Sequence, residues 1–249
     1  MTPILALDAG NSRMKWGLYD PPRWVQLGAT PNQEIGALAV REWQTLPRPA
    51  RVVGVNVAGE AMRLRIETLL NRWRVTAEWL TSRTSAAGVV NGYTTPGQLG
   101  ADRWAALVAA RKRVAGATAS PPPAVVVNAG TAVTIDALDA SGRFRGGVIV
   151  PGLALMLGAL SDNAAALKTA PGRYADYPTN TADALYSGAI QAIAGAVAAM
   201  RTRLRGEGGD VHCLISGGAA AELAPHLGAD VEIVPHLVLE GVLALAGAG

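Results

Sequence analysis

The chain has 249 residues, half of them hydrophobic and only 5% aromatic, with a formal net charge of +3. That length carries one large domain or two small ones with ample core, and so small a charge gives no ground for expecting nucleic acid. A single cysteine, Cys213, excludes an intrachain disulfide and any cysteine-based zinc cluster. Abundant Ala and Gly beside few aromatics point to close helix–sheet packing through small side chains, or equally to genome base composition.

Residues 4–7 form an apolar run of strand length, cut by Asp8, Gly10 and Asn11 and resumed over 14–19. With a turn signal at Asp20-Pro21-Pro22 this predicts a β-hairpin whose first tight turn carries Asp8, Gly10 and Asn11. Such a turn suits phosphate: Gly10 lets the backbone approach an anion, its neighbours offer N–H and amide donors, and Lys15 adds a point charge. Asp8 would repel a bare phosphate, which calls for a metal ion or ordered water between them. Taken alone, the turn reads equally as a hairpin with an Asx turn. Only three of the 22 basic residues are lysines (Lys15, Lys112, Lys168), which makes a lysine beside this turn mildly suggestive.

After a variable polar segment, valines mark a strand over 51–57. Met62, Ile66, Leu69, Leu70 and Trp73 then recur at helical spacing, with Arg63, Arg65, Arg72 and Arg74 as a solvated face. Residues 81–98 read as loop, and a helix from about 100 to 114 carries Trp104, Leu107 and Val108 on one face. Residues 116–123, rich in proline and small residues, are the best linker. Beyond it the opening pattern returns: Asn128 falls where Asp8 was, and Gly130-Thr131 where Gly10-Asn11 were. A second strand ends in a turn over 139–142, a third follows over 145–150, and a helix begins after Pro151-Gly152. Two equivalent glycine turns are far more specific than one, and they divide the chain into similar halves, 1–117 and 118–249.

The second half continues with an Asn180-Thr181 cap and a helix to about 204, whose buried side carries Leu185, Ile193, Val197 and Met200. Arg201, Arg203 and Arg205 at its end suit the helix dipole. A strand over 211–215 holds Cys213 as a buried thiol. Ser216-Gly217-Gly218 leads to a short helix and lets a ligand approach the backbone; a strand over 231–234 and a final helix from about His236 complete the chain. His212, His226 and His236 lack ligand-like spacing and read as structural or surface groups. No basic leader precedes the first apolar run, Asp8 interrupts it, and the apolar stretch 146–160 is broken and shorter than the ~20 residues a membrane helix needs. The expectation is a cytoplasmic protein bound to neither membrane nor nucleic acid.

There is no GxxxxGK[ST] and no GxGxxG after a strand, so the phosphate site is neither a P-loop nor a dinucleotide fingerprint. Two glycine turns, one from each half, form a clamp for a polyphosphate. The pattern resembles the α/β, duplicated ribonuclease-H-like fold of actin, hexokinase and the acetate kinases, with two mixed-sheet halves flanking a nucleotide cleft. Within that group it most resembles type III pantothenate kinase, the family of the Bvg accessory factor. The residues that carry the likeness run from Asp8 to Lys15, Gly100 to Trp104, Asn128 to Ala132 and Gly146 to Gly152, with Asn180-Thr181 and Ser216-Gly217-Gly218.

The resemblance implies ATP-dependent phosphorylation of pantothenate's primary hydroxyl, the first step of coenzyme A synthesis, by a homodimer. It assigns Asp8, Ala9, Gly10, Asn11, Ser12, Arg13, Met14, Lys15 and Thr131 to ATP, and Tyr93, Gly100, Ala101, Asp102, Arg103 and Thr181 to pantothenate. Asp102 is the implied base, and Asp8 the implied ligand of Mg²⁺. Position 128 is usually aspartate in the family, where it helps hold an activating K⁺ or NH₄⁺; Asn128 keeps the oxygen and loses the charge. Two alternatives stay open at this stage: a kinase of another small hydroxylated metabolite, and a nucleotide-binding accessory protein of a transcriptional regulator. The second would not need Asp102.

Overall fold

The computed structural model describes residues 3–117, 121–163, 171–206 and 210–247. It divides into two compact units, Met1–Arg113 with His236–Gly249, and Val114–Pro235. A simple split between residues 117 and 118 therefore differs from the observed division mainly at the C-terminus, which returns to the first unit. Part of the linker read over 116–123 lies outside the described residues.

The first unit opens with β1 (Ile4–Ala9), β2 (Arg13–Asp20) and β3 (Arg23–Pro31), then a 3-10 stretch (Asn32–Val40). There follow β4 (Arg51–Asn56), α1 (Glu60–Leu70), β5 (Ala77–Trp79), the short pair β6 (Ser85–Ala86) and β7 (Val89–Val90), and α2 (Ala101–Ala117). Its sheet has the order β3-β2-β1-β4-β5. β1 pairs antiparallel with β2 and parallel with β4, β2 is antiparallel to β3, and β4 is parallel to β5.

Every residue of β1 is buried, as expected of a central strand covered on both faces. Leu5, Leu7 and Ala9 join Met62, Ile66 and Leu70 of α1 in one core. Three of the six tryptophans complete that core. Trp16 meets Trp43 edge-on at 5.9 Å, and Trp43 lies 5.4 Å from Trp73. Alternation places Ile4, Ala6 and Asp8 on the opposite face. The chain's last helix, α6 (Leu237–Leu245), lies against β1, β4 and β2. α6 is tied to α2 by a two-pronged ion pair between Arg113 and Glu240, at 2.8 and 2.7 Å.

In the second unit come β8 (Ala124–Ala129), β9 (Ala132–Leu138), β10 (Phe144–Pro151), α3 (Leu153–Asn163) and α4 (Thr181–Arg205). β11 (His212–Ser216), α5 (Ala220–Leu223) and β12 (Val231–Ile233) follow. The sheet order is β10-β9-β8-β11-β12, and the directions repeat those of the first sheet strand for strand. The internal repeat read from the two glycine turns is thus a repeat of whole topology. It defines the duplicated ribonuclease-H-like fold.

α4 is long and apolar enough to cross a membrane by length and composition. In the structure Ile190, Ile193, Val197, Met200 and Leu204 pack into the second unit's core with Val125, Val127, Ile135 and Ile215. Asn180 caps the helix by accepting the Asp183 N–H at 3.0 Å. Of the three arginines at the end of α4, Arg201 does more than complement the helix dipole. It is buried, and its guanidinium donates to the carbonyls of Leu227, Ala229 and Val211. Arg203 and Arg205 stay exposed at the helix end.

Candidate active site

The hairpin register sets the first half of the site. β1 and β2 pair Asp8 directly with Lys15 and Ala9 with Met14, leaving Gly10-Asn11-Ser12 as the turn, closed by the Gly10 N–H donating to the Arg13 carbonyl at 3.2 Å. The Lys15 Nζ lies 3.9 Å from the Asp8 carboxylate. Asp8 is only 5% exposed, and burial pushes its carboxyl up to about 6; Lys15 opposes that rise and the negative charge of Asp102 adds to it. A carboxylate in this position is short of positive charge, and a divalent cation beside the turn would supply it.

Asp102 stands in the first turn of α2, where it also accepts the Arg103 N–H at 2.8 Å. Leu99 and Gly100, which lead into this helix, are held by Ser82, whose buried hydroxyl donates to the Leu99 carbonyl at 2.6 Å. Arg103 is buried and donates to the Tyr93 hydroxyl at 3.0 Å, with its guanidinium 5.7 Å from the centre of the Tyr93 ring. Two residues assigned to one substrate by resemblance therefore touch. The loop carrying Tyr93 is framed by Asn91, which donates to the Arg83 and Pro96 carbonyls and accepts the Tyr93 N–H. Nothing in the sequence distinguished Asn91 from any other loop asparagine.

His236, read as structural or surface, is near Lys15 in charge terms. Burial first, then the Lys15 ammonium, lowers its pKa, while Glu240 opposes them. It arrives there because α6 returns to the first sheet, a long-range event with no local signal.

In the second unit Asn128 is half-buried at the end of β8, paired with Thr134 on β9 and Ser216 on β11. The turn after β8 is closed by the Gly130 N–H donating to Ala132, and the Gly152 N–H donates to Thr131 at 2.8 Å. A side chain at Gly152 would place its Cβ 2.2 Å from the Gly130 carbonyl oxygen. At Gly217, where φ is +105°, a Cβ would fall 2.3 Å from the Ala129 oxygen. These glycines let three loops of the second unit close on one another, so the demand at Gly217 comes from a neighbouring strand and not from a ligand alone. Thr181 is the exposed first residue of α4.

Asp8 fits a Mg²⁺ site of the sparse kind, one carboxylate completed by substrate phosphates and water. Among the described residues no group of three or more His, Cys, Asp or Glu could hold a metal by itself. Cys213 is buried, and burial pushes its thiol up to about 11, so it is no nucleophile.

The topology and site define an ATPase-like chain of the duplicated ribonuclease-H-like class. Solved structures agree on the fold. A Campylobacter jejuni protein described as a conserved putative Baf family transcriptional activator superposes with a TM-score of 0.61 at 20% identity, covering 98% of this chain and 97% of that one. The ethanolamine utilization protein EutJ from Carboxydothermus hydrogenoformans gives 0.54 at 13% identity, over 100% and 90%. A family profile, type III pantothenate kinase, matches residues 4–203. Relatives named type III pantothenate kinase include one from Leptothrix cholodnii, 46% identical over 98% of this chain and 96% of its own, and one from Nitrosospira multiformis, 44% identical over 99% and 92%. The chain belongs to the type III pantothenate kinase family.

Proposed function

We propose that this enzyme transfers the γ-phosphoryl group of ATP to the primary hydroxyl of pantothenate, the first step of coenzyme A synthesis. The observation that carries the reading is the buried Asp8 carboxylate, paired with Lys15 and facing the charge of Asp102. That is a cation- and phosphate-binding turn with a second carboxylate available for the acceptor. The residues from Asp8 to Lys15 are assigned to ATP, and Thr131 of the second unit joins them by resemblance. Mg²⁺ held by Asp8 would neutralise phosphate charge.

Asp102 accepts the proton of the attacking hydroxyl as its oxygen bonds to the γ-phosphorus and the bond to the β-phosphate oxygen breaks, releasing ADP. A positioned base of this kind contributes about 10²–10⁴-fold. Arg103 offers a fork for pantothenate's carboxylate, and its bond to Tyr93 keeps that fork oriented. Gly100, Ala101 and Thr181 complete the acceptor's contacts in this assignment.

The experiment is Asp102→Asn. Turnover should fall by at least about 10²-fold while ATP affinity stays near that of the wild type. Retained kcat would remove Asp102 from the base role.

The finer assignments belong to the same proposal. The enzyme works in the cytoplasm as a homodimer, engaging neither nucleic acid nor membrane. Ile149 and Leu155 of the second unit, 60% and 50% exposed, supply apolar surface for a second copy. Asn128 is assigned to a monovalent cation, K⁺ or NH₄⁺. Its neutral amide binds such an ion more weakly than a carboxylate does, so no step of the reaction is assigned to it.

A further inference from the structure

Asn32, the first residue after β3, makes contacts that no motif in the sequence signals. Its side-chain Nδ2 donates to the Gly10 carbonyl at 2.9 Å and to the Asn11 carbonyl at 2.8 Å. Its backbone N–H donates to the Ser12 carbonyl at 3.0 Å. Three consecutive carbonyls of the β1–β2 turn thus converge on one residue. In a trans peptide the carbonyl of one residue and the N–H of the next point in opposite directions. Drawing the Gly10 and Asn11 carbonyls toward Asn32 therefore aims the N–H groups of Asn11 and Ser12 the other way.

An anion is repelled by carbonyl oxygens and bound by successive N–H groups, so this orientation decides whether the turn receives phosphate or rejects it. The amide's own orientation is settled by the same contacts. Turned over, it would set its oxygen against two carbonyl oxygens. In the observed orientation Asn32 Oδ1 is buried and has no hydrogen-bond partner. An unpaired buried acceptor is a poor stabilising device. The two carbonyls that Nδ2 holds are part-buried and exposed, so water can take its place in a variant without loss of the fold.

We propose that Asn32 is a positioning residue of the nucleotide site, a strap that holds the Gly10–Ser12 turn with its N–H groups facing the ATP phosphates. The proposal rests on the reading of this turn as the ATP phosphate site. Asn32→Asp keeps the shape and loses both side-chain donors, and Asn32→Ala removes the side chain; Gln33→Ala, on the exposed neighbour, is the control. The expected result is an ATP dissociation constant raised about tenfold or more in both Asn32 variants. The KM for pantothenate should stay within about twofold, and the melting temperature near that of the wild type. ATP affinity unchanged in both variants would overturn the strap and leave the kinase assignment standing. Hydrogen exchange on the wild-type chain needs no variant: added nucleotide should protect the Asn11 and Ser12 amides, and unprotected amides overturn the proposal even if a variant does not fold. A wild-type chain that binds ATP but does not phosphorylate pantothenate removes the proposed substrate and not the strap. One that binds no ATP removes both.

Discussion

Asp8 is held at a cost to the folded state. Its carboxyl takes up a proton near pH 6 in the fold and near 3.8 in the unfolded chain, so between those values the native state binds more protons. The stability this contributes is present in full below about pH 3.8 and is lost as pH rises through about 6. At pH 7, without nucleotide or metal, Asp8→Asn should therefore stabilise the protein by up to about 3 kcal/mol, while weakening Mg²⁺-dependent ATP binding. The gain should vanish near pH 4. Urea unfolding of both proteins at the two pH values measures it, and a variant less stable than wild type at pH 7 would contradict the electrostatic account. Asn128 bears on cation use in the same electrostatic way. Lacking a carboxylate there, the enzyme should show similar rates in sodium and potassium buffers, and Asn128→Asp should introduce a preference for potassium. A strong potassium requirement in the wild type would show that other oxygens hold the ion.

Elements were legible in the sequence where the physics is local. β1, β2, β8 and β9 are apolar runs broken by glycine turns, and their register places Asp8 opposite Lys15 and Asn128 opposite Thr134. β3 leaves no strand signal in the sequence because it is an edge strand, mostly half-buried or exposed, with no clean alternation to betray it. β5, β6 and β7 are two or three residues long and leave no periodic trace. Asn32 and Arg201 act through partners distant in sequence, as does α6 on the first sheet, so their roles appear only when those partners are in place. Ser216-Gly217-Gly218 was legible as a glycine loop, but not the reason for it. With φ at +105° and the Ala129 oxygen where a Cβ would stand, Gly217→Ala should cost about 2–4 kcal/mol. Denaturant midpoints test this; a change within about 0.5 kcal/mol would mean that the loop has another conformation within easy reach.

At the scale of the whole molecule, the same strand order and directions occur twice, and each copy ends its first strand in a glycine turn. Duplication explains why two such turns occupy equivalent places. Divergence explains why only the first keeps a carboxylate at the end of its strand. Fold and family were both within reach of the sequence, because the motifs that carry them span almost the whole chain in order. The chemistry at the acceptor was less accessible. Asp102 in a first helical turn is an ordinary dipole-stabilised carboxylate until the fold sets its charge against Asp8.

The most direct test gives the purified protein ATP, Mg²⁺ and pantothenate, and follows ADP and phosphorylated product together. Equimolar ADP and phosphopantothenate are expected, both abolished by Asp102→Asn. Pantothenate left unphosphorylated, while another hydroxylated acceptor is turned over or no ADP is formed, would contradict it.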